Sequence, residues 1–183
     1  MKLAVVVFSV LLTIASGPGP RAGEDKKKPA EVKEETVEPH ASKTEGAIQV
    51  KVNDKNTTHS FDVLKGGKSV LVNRRLLNGT VELAPGAYEV DVNKTQRKVS
   101  IEAGKKTILW TGELVVEGRP ATMAWYAMRG KVVLTNSVEP LLNDAIPLFP
   151  GTYSVFVDTS LTGKDMSLGD AEVKAGRKTV LKK

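Results

Sequence analysis

Leu83-Ala84-Pro85-Gly86-Ala87-Tyr88-Glu89-Val90-Asp91-Val92 and Leu148-Phe149-Pro150-Gly151-Thr152-Tyr153-Ser154-Val155-Phe156-Val157 are one pattern written twice. Each is a Pro-Gly turn that feeds a strand. Proline presets φ at the first central position of a type II turn, and glycine supplies the positive φ of the second. Beyond the turn the residues alternate. Tyr88, Val90 and Val92 share one face, and Glu89 and Asp91 share the other. That period of two marks a half-buried antiparallel strand.

Working outward, the period stays near two from Gly46 onward. Ile48, Val50 and Val52 alternate with Gln49 and Lys51, and Phe61 and Val63 with Ser60 and Asp62. Turn signals at Asn53–Asn56, Gly66-Gly67, Asn78-Gly79 and Ala103–Lys106 separate the runs. Short strands with turns at such spacing predict a β-sandwich or barrel. The same blocks then recur in the same order. Gly112 answers Gly46, Gly130-Lys131 answers Gly67-Lys68, and Leu141-Leu142-Asn143 answers Leu76-Leu77-Asn78. Ala175-Gly176-Arg177-Lys178-Thr179-Val180-Leu181 answers Ala103-Gly104-Lys105-Lys106-Thr107-Ile108-Leu109. Ordered blocks of this kind indicate internal duplication. The expected fold is therefore all-β: two tandem antiparallel β-sandwich domains, immunoglobulin-like or transthyretin-like, at 46–111 and 112–183. With almost no linker at Thr111-Gly112, the two repeats are expected to share an interface.

Ahead of the repeats, Lys2, the apolar run Leu3–Ala15 and the small residues Ala15, Ser16 and Gly17 read as a secretory signal peptide over 1–17. Thirteen residues, interrupted only by Ser9 and Thr13, are too few for a stable membrane span, which needs about 20. Residues 18–45 read as a disordered charged linker, with six basic residues against seven acidic ones and too little apolar surface to offset ordering entropy. The implied location is extracytoplasmic: periplasmic, cell-surface or secreted.

Across 183 residues the formal net charge is +6, which is no nucleic-acid footprint by itself, and the basic residues are not interleaved with aromatics. The chain has no cysteine, so disulfides, thiolate nucleophiles and cysteine-ligated zinc are excluded. Its two histidines, His40 in the linker and His59 beside a strand, leave almost no material for Ser-His catalysis or a histidine metal site. His59 is expected to be solvated. Asp158, Asp165 and Asp170 bracket a long loop of the second repeat but lack the spacing of a calcium loop. Gly66-Gly67-Lys68-Ser69 lacks the strand–loop–helix setting of a phosphate-binding loop. No catalytic set and no cofactor are expected. Three N-x-[ST] sequons, at Asn56, Asn78 and Asn93, matter in a eukaryotic secretory route alone.

The two repeats differ in one respect that bears on function. With Ile48, Val50, Phe61, Val63, Tyr88 and Val90 pointing inward, the outward positions of the first repeat are Gln49, Ser60, Asp62 and Asp91. Aligning the blocks assigns them Val115, Met123, Trp125 and Phe156 in the second repeat. Trp110 likewise stands where the second repeat has Lys182. An apolar outward set marks either a seam between the repeats or a binding surface. A slip of one residue in the alignment would invert every face.

The pattern Leu-x-Pro-Gly-x-Tyr-x-Val-x-Val, followed after a loop by Val-x-x-Ala-Gly-x-x-Thr-x-Leu, resembles the PEGA and carboxypeptidase-regulatory-like repeats of bacterial envelope proteins. The matching stretches are Leu83–Val92 with Val99–Leu109, and Leu148–Val157 with Ala171–Leu181. The resemblance spans 46–183. It implies an accessory module that binds or scaffolds instead of catalysing, with a protein partner or an envelope polysaccharide as ligand. A carbohydrate-binding module using aromatics of the second repeat is the alternative.

Overall fold

The computed structural model describes residues 31–134, 140–159 and 165–183. The predicted signal peptide, and the predicted linker as far as Ala30, lie outside them. Glu31–Lys183 form one compact unit. Its first part contains β1 (Glu35–Pro39), β2 (Gly46–Lys51), β3 (Ser60–Lys65), β4 (Lys68–Ser69), β5 (Arg75–Leu76), β6 (Thr80–Leu83), β7 (Gly86–Val92), β8 (Thr95–Ile101) and β9 (Lys105–Trp110). Its second part contains β10 (Gly112–Glu117), β11 (Trp125–Arg129), β12 (Val132–Val133), β13 (Ala145–Leu148), β14 (Gly151–Val157), β15 (Met166–Val173) and β16 (Lys178–Lys182). The fold is all-β.

The pairing repeats as the sequence does. One sheet of the first repeat runs β1-β9-β2-β6 and the other β4-β3-β7-β8, with β5 on β3. In the second repeat the corresponding sheets run β16-β10-β13 and β12-β11-β14-β15. The inward residues of each sheet pair form a cluster. One is built on Ile48, Val50, Phe61, Val63, Tyr88, Val90 and Leu109. The other is built on Leu114, Val116, Trp125, Ala127, Tyr153, Val155 and Val173.

Four features depart from the sequence expectation. The expected wholly antiparallel pairing fails at two places, because β2 pairs with β9, and β10 with β16, in parallel. The first and last strands of each repeat meet across the whole repeat, a connection long enough for parallel neighbours. Next, Glu35–Pro39, read as part of a disordered linker to residue 45, form a strand against β9. Its own sequence buries little. Its order comes from the ladder and from basic neighbours: Arg97 Nη1 lies 2.8 Å from Glu34 Oε2, and Lys106 Nζ lies 3.0 Å from Glu38 Oε2. Third, Gly86 and Gly151 have φ of 154° and 158°, not the smaller positive φ of a type II turn. Both glycines already belong to the strand, paired with Ile101 and Val173. Finally, His59 is half-buried and bonded instead of freely solvated: its Nε2 lies 3.0 Å from Ala145 O and, facing a carbonyl, must donate.

Two duplicated devices fix the ends of the strands. Tyr88 donates its hydroxyl to Ala84 O at 2.8 Å, and Tyr153 donates to Phe149 O, so each tyrosine ties its strand to the residue ahead of the Pro-Gly. Asn78 and Asn143, with φ of 68° and 76°, sit in the left-handed region that asparagine tolerates better than most residues. Asn78 Oδ1 accepts from Val52 N, and Asn143 Oδ1 from Gly118 N, which clamps the turn onto the end of β2 or β10.

The repeats are locked together. Phe149, numbered in the second repeat, packs in the first cluster, where it is 2% exposed. The buried Asn93 donates to Pro147 O at 2.9 Å, and Thr95 Oγ1 accepts from Phe149 N at 3.3 Å. Asn53 donates to Gly176 O, and buried Thr111 donates to Lys51 O while accepting from Gly176 N.

Candidate functional site

The ladder decides which residues of the second repeat face outward. In the first repeat Asp62 pairs with Asp91. In the second, Phe156, which the Pro-Gly-x-Tyr block places at Asp91, pairs with Tyr126. Tyr126 therefore corresponds to Asp62, and Trp125 to Phe61. A second pairing agrees, since Ser60 lies opposite Leu76 and Ala124 opposite Leu141. Aligning the sequence blocks alone puts Trp125 at Asp62, one residue out of register on this strand.

The correction turns Trp125 inward and leaves Met123 packed against the second cluster, while Val115 keeps its outward position on β10 but is covered there. Trp125 is fully buried in the second cluster and donates its indole N–H to Leu141 O at 2.9 Å. Met123 precedes β11, is half-buried and packs against the same cluster. Val115 does lie on the opposite face of β10 from Leu114 and Val116, but it is 2% exposed. Its partner in the ladder is Ala145, whose carbonyl receives His59 of the first repeat. Val115 thus belongs to the seam between repeats. Beside it Glu113 has its pKa raised, first by burial and then by the nearby Asp54 carboxylate.

Phe156 alone of the four is both outward-facing and partly exposed, and Tyr126, missed from the sequence, joins it. Their rings stack, with centroids 5.2 Å apart and planes 16° from parallel. Both are half-buried. Tyr126 donates its hydroxyl to Asp165 Oδ2 at 2.5 Å. Ser154, next along this face of β14, donates to Asp170 Oδ1 at 2.7 Å. Met128, half-buried, extends the apolar surface along β11.

The matching place in the first repeat is polar throughout. Two carboxylates directly opposite one another repel. There Arg74 Nη2 lies 3.3 Å from Asp91 Oδ1, Gln96 donates to Asp91 Oδ2, and Ser69 donates to Asp62 Oδ1. One cross-strand position thus carries a hydrogen-bonded acid pair in one repeat and an aromatic pair in the other. The signal in the sequence is the pair Asp62/Tyr126 together with Asp91/Phe156, visible once β3 and β11 are aligned by pairing.

Among the described residues no group of three or more His, Cys, Asp or Glu is gathered as for a metal ion. No helix of the described residues is long and apolar enough to cross a membrane. A shallow groove lined by Leu64, Ala87, Tyr88, Glu89, Lys98 and Ser100 lies in the first repeat and brings no reactive set together. Comparison with known proteins finds no family model, no curated protein and no solved structure that matches the chain.

Proposed function

We propose that this chain is a non-enzymatic, exported β-sandwich module that binds or scaffolds at the cell envelope, in the manner of the PEGA-like repeats its motif resembles. The observation that carries the reading is the Tyr126–Phe156 pair on the outer sheet face, at a position where the duplicate keeps charged residues. A surface that needs only solubility has no use for that replacement, whereas aromatic residues and methionine are enriched at interfaces. The seam supports the scaffolding half, because buried hydrogen bonds and the Phe149 side chain join the two repeats.

The partner that fits this face is a protein segment. The stacked rings and the Met128 side chain together offer aromatic and apolar surface of the kind enriched at protein interfaces. The test compares capture from envelope extracts by the wild-type chain and by Tyr126→Thr/Phe156→Thr, which preserves β propensity. A partner retained by the wild type and lost by the variant supports the face. Equal recovery removes it, and glycan binding that depends on Phe156 would transfer the site to carbohydrate.

A further inference from the structure

Strand β9 and strand β16 are duplicates, but their outer edges differ. The edge of β9 is covered by β1, which pairs with it from Glu35 opposite Leu109 to Pro39 opposite Lys105. Among the described residues β16 pairs with β10 alone. The exposures follow. Thr107, Ile108 and Leu109 are 2%, 1% and 0% exposed, whereas Val180, the counterpart of Ile108, is 41% exposed. Thr179 and Leu181 are half-buried.

The outward groups of this edge can be named. Lys183 N donates to Glu117 O of β10, as Thr111 N donates to Lys51 O of β2. Backbone direction alternates along a strand, so the N–H groups of Lys178, Val180 and Lys182 point away from β10. Their counterparts in the first repeat are Lys106, Ile108 and Trp110, and Trp110 N does donate to the arriving segment, at Glu34 O.

We infer that the β16 edge is a β-augmentation site for an acidic, extended segment of a partner protein, which adds as an antiparallel strand. The occupant's chemistry is read from the one strand already seated on the duplicate edge. That strand, Glu35-Thr36-Val37-Glu38-Pro39, is anchored by Lys106 on Glu38 and flanked by Arg97 on Glu34. Lys178 stands where Lys106 stands, and Lys182 continues the exposed basic row along β16. Main-chain bonds supply affinity in such addition, and charge selects the sequence. Lysines on an edge also discourage pairing with a second copy of the same basic strand. The inference rests on the binding reading above but uses a different surface, so the two fail separately.

The test titrates an unlabelled peptide of residues 33–40 (Lys33-Glu34-Glu35-Thr36-Val37-Glu38-Pro39-His40) into the full-length ¹⁵N-labelled chain. The expected result is saturable change, with slowed hydrogen exchange, at the amides of Lys178, Val180 and Lys182. Val180→Pro should abolish it by removing a donor. Lys178→Glu/Lys182→Glu, both at exposed positions and so compatible with folding, should weaken binding about fivefold or more, the scale of two surface ion pairs converted to repulsion. Four results overturn the inference: no binding; perturbation confined to Lys106, Ile108 and Trp110, meaning exchange with the chain's own β1; protection of the β16 amides before peptide is added, meaning that the chain fills its own edge; or concentration-dependent self-association through β16.

Discussion

Phe149→Ala tests the seam and the assignment of this side chain to the first cluster. Phe149 is 2% exposed and its ring lies among residues of the first repeat, although its neighbours Leu148 and Tyr153 belong to the second cluster. Truncating a buried phenylalanine costs about 3–5 kcal/mol through lost transfer energy and the cavity left behind. The backbone should tolerate the change. The matching residue in the first repeat is Ala84, which makes the same carbonyl contact to Tyr88 that Phe149 makes to Tyr153. At a urea slope of about 2 kcal/mol per molar, a loss of about 4 kcal/mol lowers the midpoint by about 2 M. Two probes locate the loss: Trp110 on β9, read in Trp125→Phe, and Trp125 in the second cluster, read in Trp110→Phe. With Phe149 present both backgrounds should show single transitions. With Phe149→Ala added, the Trp110 probe should move by the full amount and the Trp125 probe by less. A shift under about 0.5 kcal/mol at Trp110, the scale of an ordinary surface change, would refute the reasoning. So would a shift at the Trp125 probe alone.

Trp125, fully buried and bonded to Leu141 O, should emit blue and resist acrylamide in Trp110→Phe; free quenching would restore it to the outer face. Burial pushes the Tyr153 phenol up to about 12, with Arg129 opposing weakly. Because this folded value exceeds the unfolded one of 10, its contribution to stability is complete below pH 10 and is lost as pH rises from 10 through about 12, by about 2–3 kcal/mol. Urea midpoints for Tyr153→Phe should therefore fall less steeply over that interval than those of the wild type, while at neutral pH the variant is weaker by about 1 kcal/mol for its lost hydrogen bond; parallel curves would contradict this. Gly112→Ala and Gly46→Ala should each lower the thermal midpoint, at a cost of about 1–3 kcal/mol. A Cβ there meets the carbonyl oxygens of Lys174 and Glu102, each at 2.3 Å, and backbone gives way poorly. Wild-type stability in either variant would mean that the glycine shared by the two repeats has no packing basis.

What is legible in this sequence is whatever alternates cleanly. On β7 the charges of Glu89 and Asp91 mark one face and the apolar residues mark the other, so inward and outward follow from the residues themselves. The Pro-Gly-x-Tyr block then carries the same assignment to β14, which is why the sequence places Phe156 on the outer face. On β11 the cue disappears. Trp125 and Ala127 point into the core while Tyr126 and Met128 point out, and all four are apolar or aromatic. A strand apolar on both faces fits either register equally well, and the loop ahead of it differs in length between repeats, so counting from the previous block does not resolve the choice. The deciding information is non-local: the pairing of Tyr126 with Phe156 and of Ala124 with Leu141.

The linker reading fails for a related reason. Composition reports whether a segment can bury its own surface, and Glu35–Pro39 cannot; its side chains are mostly exposed even in place. It is ordered because β9 presents an unpaired edge with basic residues beside it, a property of a strand about 70 residues away in the chain. Order borrowed from an edge is invisible to local composition, and it depends on which edges a fold leaves open. The duplication turns this into a comparison within one molecule. Among the described residues two similar strands, β9 and β16, differ in having a covering strand, and the buried Ile108 and exposed Val180 accompany the difference. The second repeat therefore differs from the first in two ways that point outward, at an aromatic pair on its sheet face and at a basic edge that no other described strand covers. Duplication relieves one copy of the need to be self-contained, and here the copy that departs from the closed arrangement is the second.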